Sequence, residues 1–236
     1  MNRTLDVATS FAGTLVSLGG GLGIGSLSVG PLGARPEKPL ELYEFEACPF
    51  CRKVREALTA LDLDAVIYPC PKDGPRYREE IRRRGGKAQF PYLVDPNTGK
   101  EMYESDAIVR YLAEQYGTGR VPFGLSLGPI TNLVSTSTSL WRLSHGRLYR
   151  AARAPEKPLE LYSFELSPYC RIVREALCEL EIPYLLHNVG KGSPRRDAFV
   201  ARAGKMQVPW LHDPNTDRSL YESADIVAYL NATYAA

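Results

Sequence analysis

The chain has few histidines, few tryptophans and no regular set of cysteines. Its three histidines, His145, His187 and His212, are scattered, and among five cysteines there is one CxxC, Cys48-Pro49-Phe50-Cys51. With no second CxxC and no histidine pair at ligand spacing, a structural zinc site is disfavoured and no metal is expected. An odd count at irregular spacing is also unlike the even framework that staples small secreted domains, which points to a reducing compartment. No basic stripe is present either. The 29 Lys and Arg are mixed with 27 Asp and Glu for a net charge of +2, so nothing holds a phosphate backbone and nucleic acid is not an expected partner. Charge is missing altogether from residues 7–34. That stretch nevertheless carries Gly19, Gly20, Gly21, Gly23 and Gly25, too many helix breakers for a span of about 20 apolar residues. Asp6 spoils the basic start of a signal peptide. The expectation is no membrane span and a cytoplasmic location, with an organelle such as a plastid as the alternative if the leader holds a targeting segment.

What the chain does have is the same text twice. PEKPLELYEFEACPFCRKVREAL begins at Pro36 and PEKPLELYSFELSPYCRIVREAL at Pro155, so a unit of a little over a hundred residues is duplicated in tandem. We divide the chain into a Gly/Ser-rich leader (1–35), a first unit (36–117), a linker equivalent to the leader (118–154) and a second unit (155–236). The copies differ at one informative place. Cys48-Pro49-Phe50-Cys51 becomes Ser167-Pro168-Tyr169-Cys170, so the second unit loses a sulfur from an otherwise repeated site.

Within each unit the hydrophobic period switches between strand and helix. Leu40 to Phe45 alternates with period two, after which Val54, Ala57, Leu58 and Leu61 recur at helical spacing. Residues 65–68 read as a second strand and 75–83 as a charged helix. Residues 92–94 and 102–103 form a hairpin across Asp95-Pro96-Asn97-Thr98-Gly99, and 105–116 a closing helix. The second unit repeats this order, with Asp213-Pro214-Asn215-Thr216 at the hairpin. The predicted order is βαβαββα, two parallel strands with a crossover helix followed by an antiparallel hairpin.

That order, with CxxC where the first strand meets the first helix, resembles the thioredoxin fold. CPFC is similar to the CPYC of glutaredoxins, and Gln89-Phe90-Pro91-Tyr92-Leu93 and Tyr103-Glu104-Ser105-Asp106-Ala107-Ile108 resemble the N-terminal domain of glutathione S-transferases. The resemblance covers about two thirds of the chain and implies an α/β protein of two tandem thioredoxin-like domains, each a four-stranded mixed sheet flanked by helices. It also implies glutathione as cosubstrate.

Cys48 is expected at the amino end of the first helix, where unsatisfied N–H groups and the helix dipole favour a thiolate. Pro49 suits the first turn. Cys51, one turn on, faces the same side and can resolve a mixed disulfide. X-Pro bonds adopt cis far more readily than others, and the resemblance places such a bond at Phe90-Pro91 and Val208-Pro209. It further implies that Gln89 and Gln207 meet the glycine carboxylate of glutathione and that Glu104-Ser105 and Glu222-Ser223 meet its γ-glutamyl end. For these last pairs a serine cap at a helix start is the plain alternative. Lys87 and Lys205 are lesser candidates for the carboxylate. Arg52 and Arg171 are expected at the surface, with added positive potential at the sulfur as the alternative. Cys178 is expected to be structural, and Cys70 a passive small residue in the loop after the second strand.

Some glutaredoxin features are missing. The position three before the first cysteine is Phe45 rather than lysine, and Glu46 beside it is expected to raise the thiol pKa. Ser167 cannot form a disulfide, though it could hydrogen-bond a glutathione sulfur. A transferase-type apolar substrate site has no source unless the units face one another across a pocket. The reading is therefore a glutathione-dependent thiol–disulfide oxidoreductase acting at Cys48 on small or protein disulfides, with a redox-degenerate second unit. The alternatives are a non-catalytic glutathione- or protein-binding module and transferase-like conjugation. An iron–sulfur cluster held by Cys48 and glutathione across a dimer is a remoter variant, and domain–domain or homodimer packing is a further expectation.

Overall fold

A computed structural model describes residues 29–121 and 145–236, together with Ser10 and Leu125. Most of the leader and of the linker lies outside the described residues. In the first unit β1 (Leu40–Glu44) runs into α1 (Pro49–Ala60), followed by β2 (Ala65–Pro69), α2 (Tyr77–Gly85), β3 (Tyr92–Asp95), β4 (Lys100–Tyr103) and α3 (Ser105–Tyr116). The second unit repeats the order with β5 (Leu159–Ser163), α4 (Pro168–Glu179), β6 (Tyr184–Asn188), α5 (Arg196–Ala203), β7 (Trp210–Asp213), β8 (Arg218–Tyr221) and α6 (Ser223–Tyr234). The charged helix expected at 75–83 is displaced two residues along the chain, its start set beyond Pro75 rather than at it.

Alternation along the strands sorts side chains into two layers. Leu40 and Leu42 of β1 join Val54 and Leu58 of α1 and Ile108 and Leu112 of α3 in one large cluster. Tyr43, of opposite parity, packs instead with Ile81 of α2 and Tyr92. The second unit divides in the same way, Phe199 of α5 packing with Val189 and Trp210. Each hairpin turn is tied down identically. Asp95 accepts from the hydroxyls of Tyr111 and Tyr116, both at 2.5 Å, and Asp213 from those of Tyr229 and Tyr234.

β1 pairs parallel with β2 as read from the sequence, and the structure adds antiparallel pairing of β1 with β3. The two halves are not separate sheets, however. β2 pairs antiparallel with β6 in the register Ala65↔Leu186, Val66↔Leu185, Ile67↔Tyr184, which makes one eight-stranded sheet in the order β4-β3-β1-β2-β6-β5-β7-β8. In an isolated unit β2 would be an apolar edge with unpaired N–H and C=O groups, and duplication lets each edge cover the other. The large cluster accordingly runs on without a break through Leu161, Leu177, Leu186 and Leu230.

Candidate functional site

The first unit's site is built where β1 hands over to α1. Cys48 is the N-cap of α1 (φ −78°, ψ 120°), with Pro49 opening the helix, and its Sγ accepts a hydrogen bond from the Cys51 N–H at 3.3 Å. Hydrogen bonding from the Cys51 thiol and backbone, with help from the Phe50 N–H, lowers the Cys48 pKa against burial and the charge of Glu44, both of which raise it. Burial, aided by Cys48 itself, pushes Cys51 well up. The two thiols are thus split in acidity, Cys48 shifted down and Cys51 up. Cys48 is only 4% exposed while Phe50 beside it is 47% exposed.

Cys48 and Cys51 share a cluster with Cys70 and Phe90. Burial holds Cys70 well above the ordinary thiol range, which keeps it protonated. The Phe90-Pro91 peptide is cis, as is Val208-Pro209. Gln89 donates to Glu104 at 2.7 Å, and Gln207 to Glu222 at 2.5 Å, so the two candidate ligand contacts of each unit are already joined to each other. Glu104 and Glu222 both sit at positive φ, 71° and 62°, a costly backbone for a non-glycine residue and one repeated in both copies. Ser105 and Ser223 are buried as the first residues of α3 and α6. They do not occupy the cap position; that belongs to Glu104 and Glu222, whose side chains make no cap hydrogen bond, so the serine-cap expectation is corrected.

The second unit keeps this geometry without the sulfur. Ser167 caps α4, its Oγ accepting from the Cys170 N–H at 3.3 Å. Burial raises the Cys170 thiol, opposed by hydrogen bonds with Ser167 and Ser163. The ammonium groups of Lys87 and Lys205 lie 4.9 and 4.4 Å from the ring centres of Tyr103 and Tyr221, a cation–π arrangement. One residue escaped the sequence reading. The Arg78 guanidinium stacks 4.9 Å from the centre of the Phe90 ring and its Nε donates to the Pro71 carbonyl at 2.6 Å. No spacing pattern marks it.

The charges flanking the motif turn toward the other unit. Arg52 and Arg171 are buried, not at the surface, and Arg52 pairs with Glu56 at 3.0 Å. Glu46, expected to oppose Cys48 ionisation, is gripped by Arg174 through two bonds of 3.1 Å, and the acid that bears on the thiol is Glu44. Arg55 in turn binds Glu44 and, at 3.0 and 3.3 Å, Glu165 of the second unit. These buried charges of α1, α4 and the turns before them pair across the seam between the units. The sequence signal for them was present, since Arg55 and Arg174, Glu46 and Glu165 are repeated charges beside an apolar helix face. Burial lifts the Glu44 carboxyl to about 7. Arg174 and Arg55 overcome burial to hold Glu165 at about 2.

Among the described residues no three His, Cys, Asp or Glu side chains converge as a metal site, and no helix is long and apolar enough to cross a membrane.

A search of curated proteins finds no match. Among solved structures, the glutathione transferase BmGSTD1 of Bombyx mori is similar at 28% identity over 36% of this chain and 38% of its own, with a TM-score of 0.32. The match thus spans well under half of that relative. Leishmania TDR1, a trimeric glutathione transferase, aligns at 15% identity over 83% of this chain and 67% of its own, with a TM-score of 0.31. The model of the glutathione S-transferase N-terminal domain matches twice, over residues 42–120 and 161–236, which together make up well over half of the sequence. The chain belongs to the family of the glutathione S-transferase N-terminal domain, carried here in two tandem copies.

Proposed function

We propose that the protein is a glutathione-dependent thiol–disulfide oxidoreductase whose chemistry resides in the first unit. The observation that carries this reading is the Cys48 sulfur at the tip of α1, hydrogen-bonded by Cys51 and lowered in pKa despite burial. In the forward step the Cys48 thiolate attacks the glutathione sulfur of a glutathionylated thiol. A bond forms between Cys48 and glutathione sulfur, the substrate sulfur leaves with the electron pair and takes up a proton. The thiolate of a free glutathione then attacks the mixed disulfide, releasing oxidised glutathione and restoring Cys48, so that one reduced glutathione is consumed per turnover and the other half of the oxidised glutathione comes from the substrate. Cys51 offers the alternative of resolving the mixed disulfide within the chain, after its own proton is lost. Gln89, Phe90, Pro91, Glu104 and Ser105 form the peptide clamp. A glutathione-coupled reductase assay tests the reading. Cys48→Ser is expected to lose activity by at least about 100-fold, in line with the loss of a covalent nucleophile, and activity equal to that of the parent chain overturns it.

A second reading draws support from the second unit. The family match extends over residues 161–236, where the clamp pair Gln207–Glu222 and the cis Val208-Pro209 peptide persist without a cysteine at Ser167. What both copies retain is the peptide clamp, which favours glutathione binding in each, with turnover confined to one. Calorimetric titration with glutathione distinguishes the two: a stoichiometry of two supports a binding role for the second unit, and a stoichiometry of one removes it.

A further inference from the structure

The turn that presents Cys48 is held from outside its own unit. It is formed by Glu46 and Ala47, between β1 and α1. The Glu46 carboxylate takes both arms of the Arg174 guanidinium, from α4, at 3.1 Å each, with both side chains buried. The Glu46 N–H donates to the Cys178 Sγ, also of α4, at 3.4 Å. The Ala47 N–H donates to the Gly146 carbonyl at 3.4 Å, and that carbonyl also receives the Cys178 thiol at 3.3 Å. Gly146 has φ +66°, and a Cβ added there would stand 2.7 Å from the Glu46 Cβ, so any other residue would force the turn away. Its own unit holds the turn too: Arg55 reaches the Glu46 carboxylate at 3.2 Å and its carbonyl at 3.4 Å, and the Cys48 N–H closes on the Phe45 carbonyl at 3.0 Å.

We propose that Arg174 and Cys178 are positioning residues for Cys48, so that the second unit, without a sulfur at its own helix tip, fixes the turn from which the first unit's nucleophile projects. One stabilising contact at the sulfur is a 3.3 Å bond from the Cys51 N–H, beside that of the Cys51 thiol. Such a bond weakens steeply as its angle closes, so a small swing of the Cys48 backbone costs thiolate stability. The bracing is reciprocal in form. Arg55 grips Glu165, and the Thr59 Oγ1 accepts from the Glu165 N–H at 3.3 Å, Thr59 standing where the second unit has Cys178. Only one of the two braced turns carries a thiol, and this makes the arrangement one-sided in its consequence. The inference rests on the reading of Cys48 as the nucleophile, but its test needs no turnover.

The test follows iodoacetamide labelling of Cys48 by mass spectrometry across pH on the full chain, with thermal melting to verify folding. Three variants are compared: Cys178→Val, which is β-branched like Thr but lacks the acceptor; Cys178→Thr, which copies the hydroxyl of the first unit; and Arg174→Lys, which keeps the charge and removes the fork. Cys178→Val and Arg174→Lys are expected to label Cys48 about five-fold more slowly at neutral pH, with the profile displaced to higher pH, while Cys178→Thr stays close to the parent. Folded Cys178→Val and Arg174→Lys chains that label like the parent overturn the proposal. Equal slowing by Val and Thr overturns it too, because packing rather than the accepted hydrogen bond would then be responsible. If Arg174→Lys does not fold, the Cys178 pair decides alone. A chain that shows the expected pattern yet fails the glutathione-coupled assay keeps the positioning role and loses the proposed function, so the two failures are distinct.

Discussion

The two units share a backbone plan and differ most tellingly in a few side chains around the strand-to-helix turn. At the helix tip the first has Cys48 and the second Ser167; at the end of the first strand the first has Glu44 and the second Ser163; and after the second strand Cys70 stands opposite Val189. The cis-proline site is largely kept, Gln89–Glu104 matching Gln207–Glu222 with the same cis peptide and the same positive φ, although Phe90 becomes Val208. Duplication has therefore separated two properties that a single domain must combine. The geometry around the cis proline is kept in both halves, whereas the thiol at the helix tip and the buried acid Glu44 are kept in one.

The seam between the units offers the strongest way to break this comparison. Arg55 is buried among Glu44, Glu46 and Glu165, and its replacement by Met leaves carboxylates without a partner in a dry site. Arg55→Met is expected to destabilise the chain by about 3–5 kcal/mol, the usual cost of breaking a buried pair from one side. Denaturant unfolding measures it, and a loss below about 1 kcal/mol, typical of a surface pair, would show the network to be solvated.

Next in size is the pH dependence that Glu44 confers on the first unit alone. Its folded-state pKa of about 7 lies above the ordinary carboxyl value, so between these limits the folded chain binds more protons than the unfolded one and stability falls as pH rises. Glu165, held at about 2, acts in the opposite sense: its contribution is full above the ordinary carboxyl pKa and is lost as pH falls toward 2. Glu44→Gln is expected to flatten the decline between mild acid and neutrality, a change of roughly 2 kcal/mol on the scale of 1.4 kcal/mol per pKa unit. Melting temperature against pH in the two chains checks this, and parallel curves count against it.

Returning a sulfur to the second unit sharpens the comparison further. The Ser167 Oγ already accepts from the Cys170 N–H at the distance found for Cys48 and Cys51, and no Glu44 counterpart opposes ionisation there. Ser167→Cys is expected to yield a second thiol that iodoacetamide labels about ten-fold faster than Cys170 does in the parent chain. A new cysteine as slow as Cys170 would mean that the helix tip of the second unit does not favour a thiolate. The smallest effect belongs to the clamp. Gln89→Ala is expected to weaken glutathione binding several-fold, on the order of 1 kcal/mol for one hydrogen bond; calorimetry reads it, and unchanged affinity removes Gln89 from the site.

Much of this architecture is legible in the order of residues along the chain. The alternation of Leu40-Glu41-Leu42-Tyr43 and the helical recurrence of Val54, Ala57, Leu58 and Leu61 mark the strand and the helix, because period two and period 3.6 are imposed by local backbone geometry. The repeated DPNT turn marks each hairpin, since Asp95 and Asp213 bind the Asn N–H groups two residues on. The candidate site is legible where its chemistry is local, as at Cys48, Pro49 and Cys51. Contacts between residues far apart in the chain are not. Arg52 and Arg171 read as surface charges because a guanidinium is rarely buried without partners, and their buried setting exists only because another unit lies across the seam. Arg78 over Phe90 is a contact within the first unit, but between two elements whose packing no local periodicity marks.

The sequence by itself determined that there are two units, the order of strand and helix in each, and which helix tip bears a thiol, since these follow from repetition, periodicity and residue identity. Only the tertiary structure decided that β2 and β6 join the units into one sheet and that Arg55 and Arg174 exchange acids across it. Edge pairing and the neutralisation of buried charge depend on which surfaces meet, and no periodicity within either unit encodes that meeting.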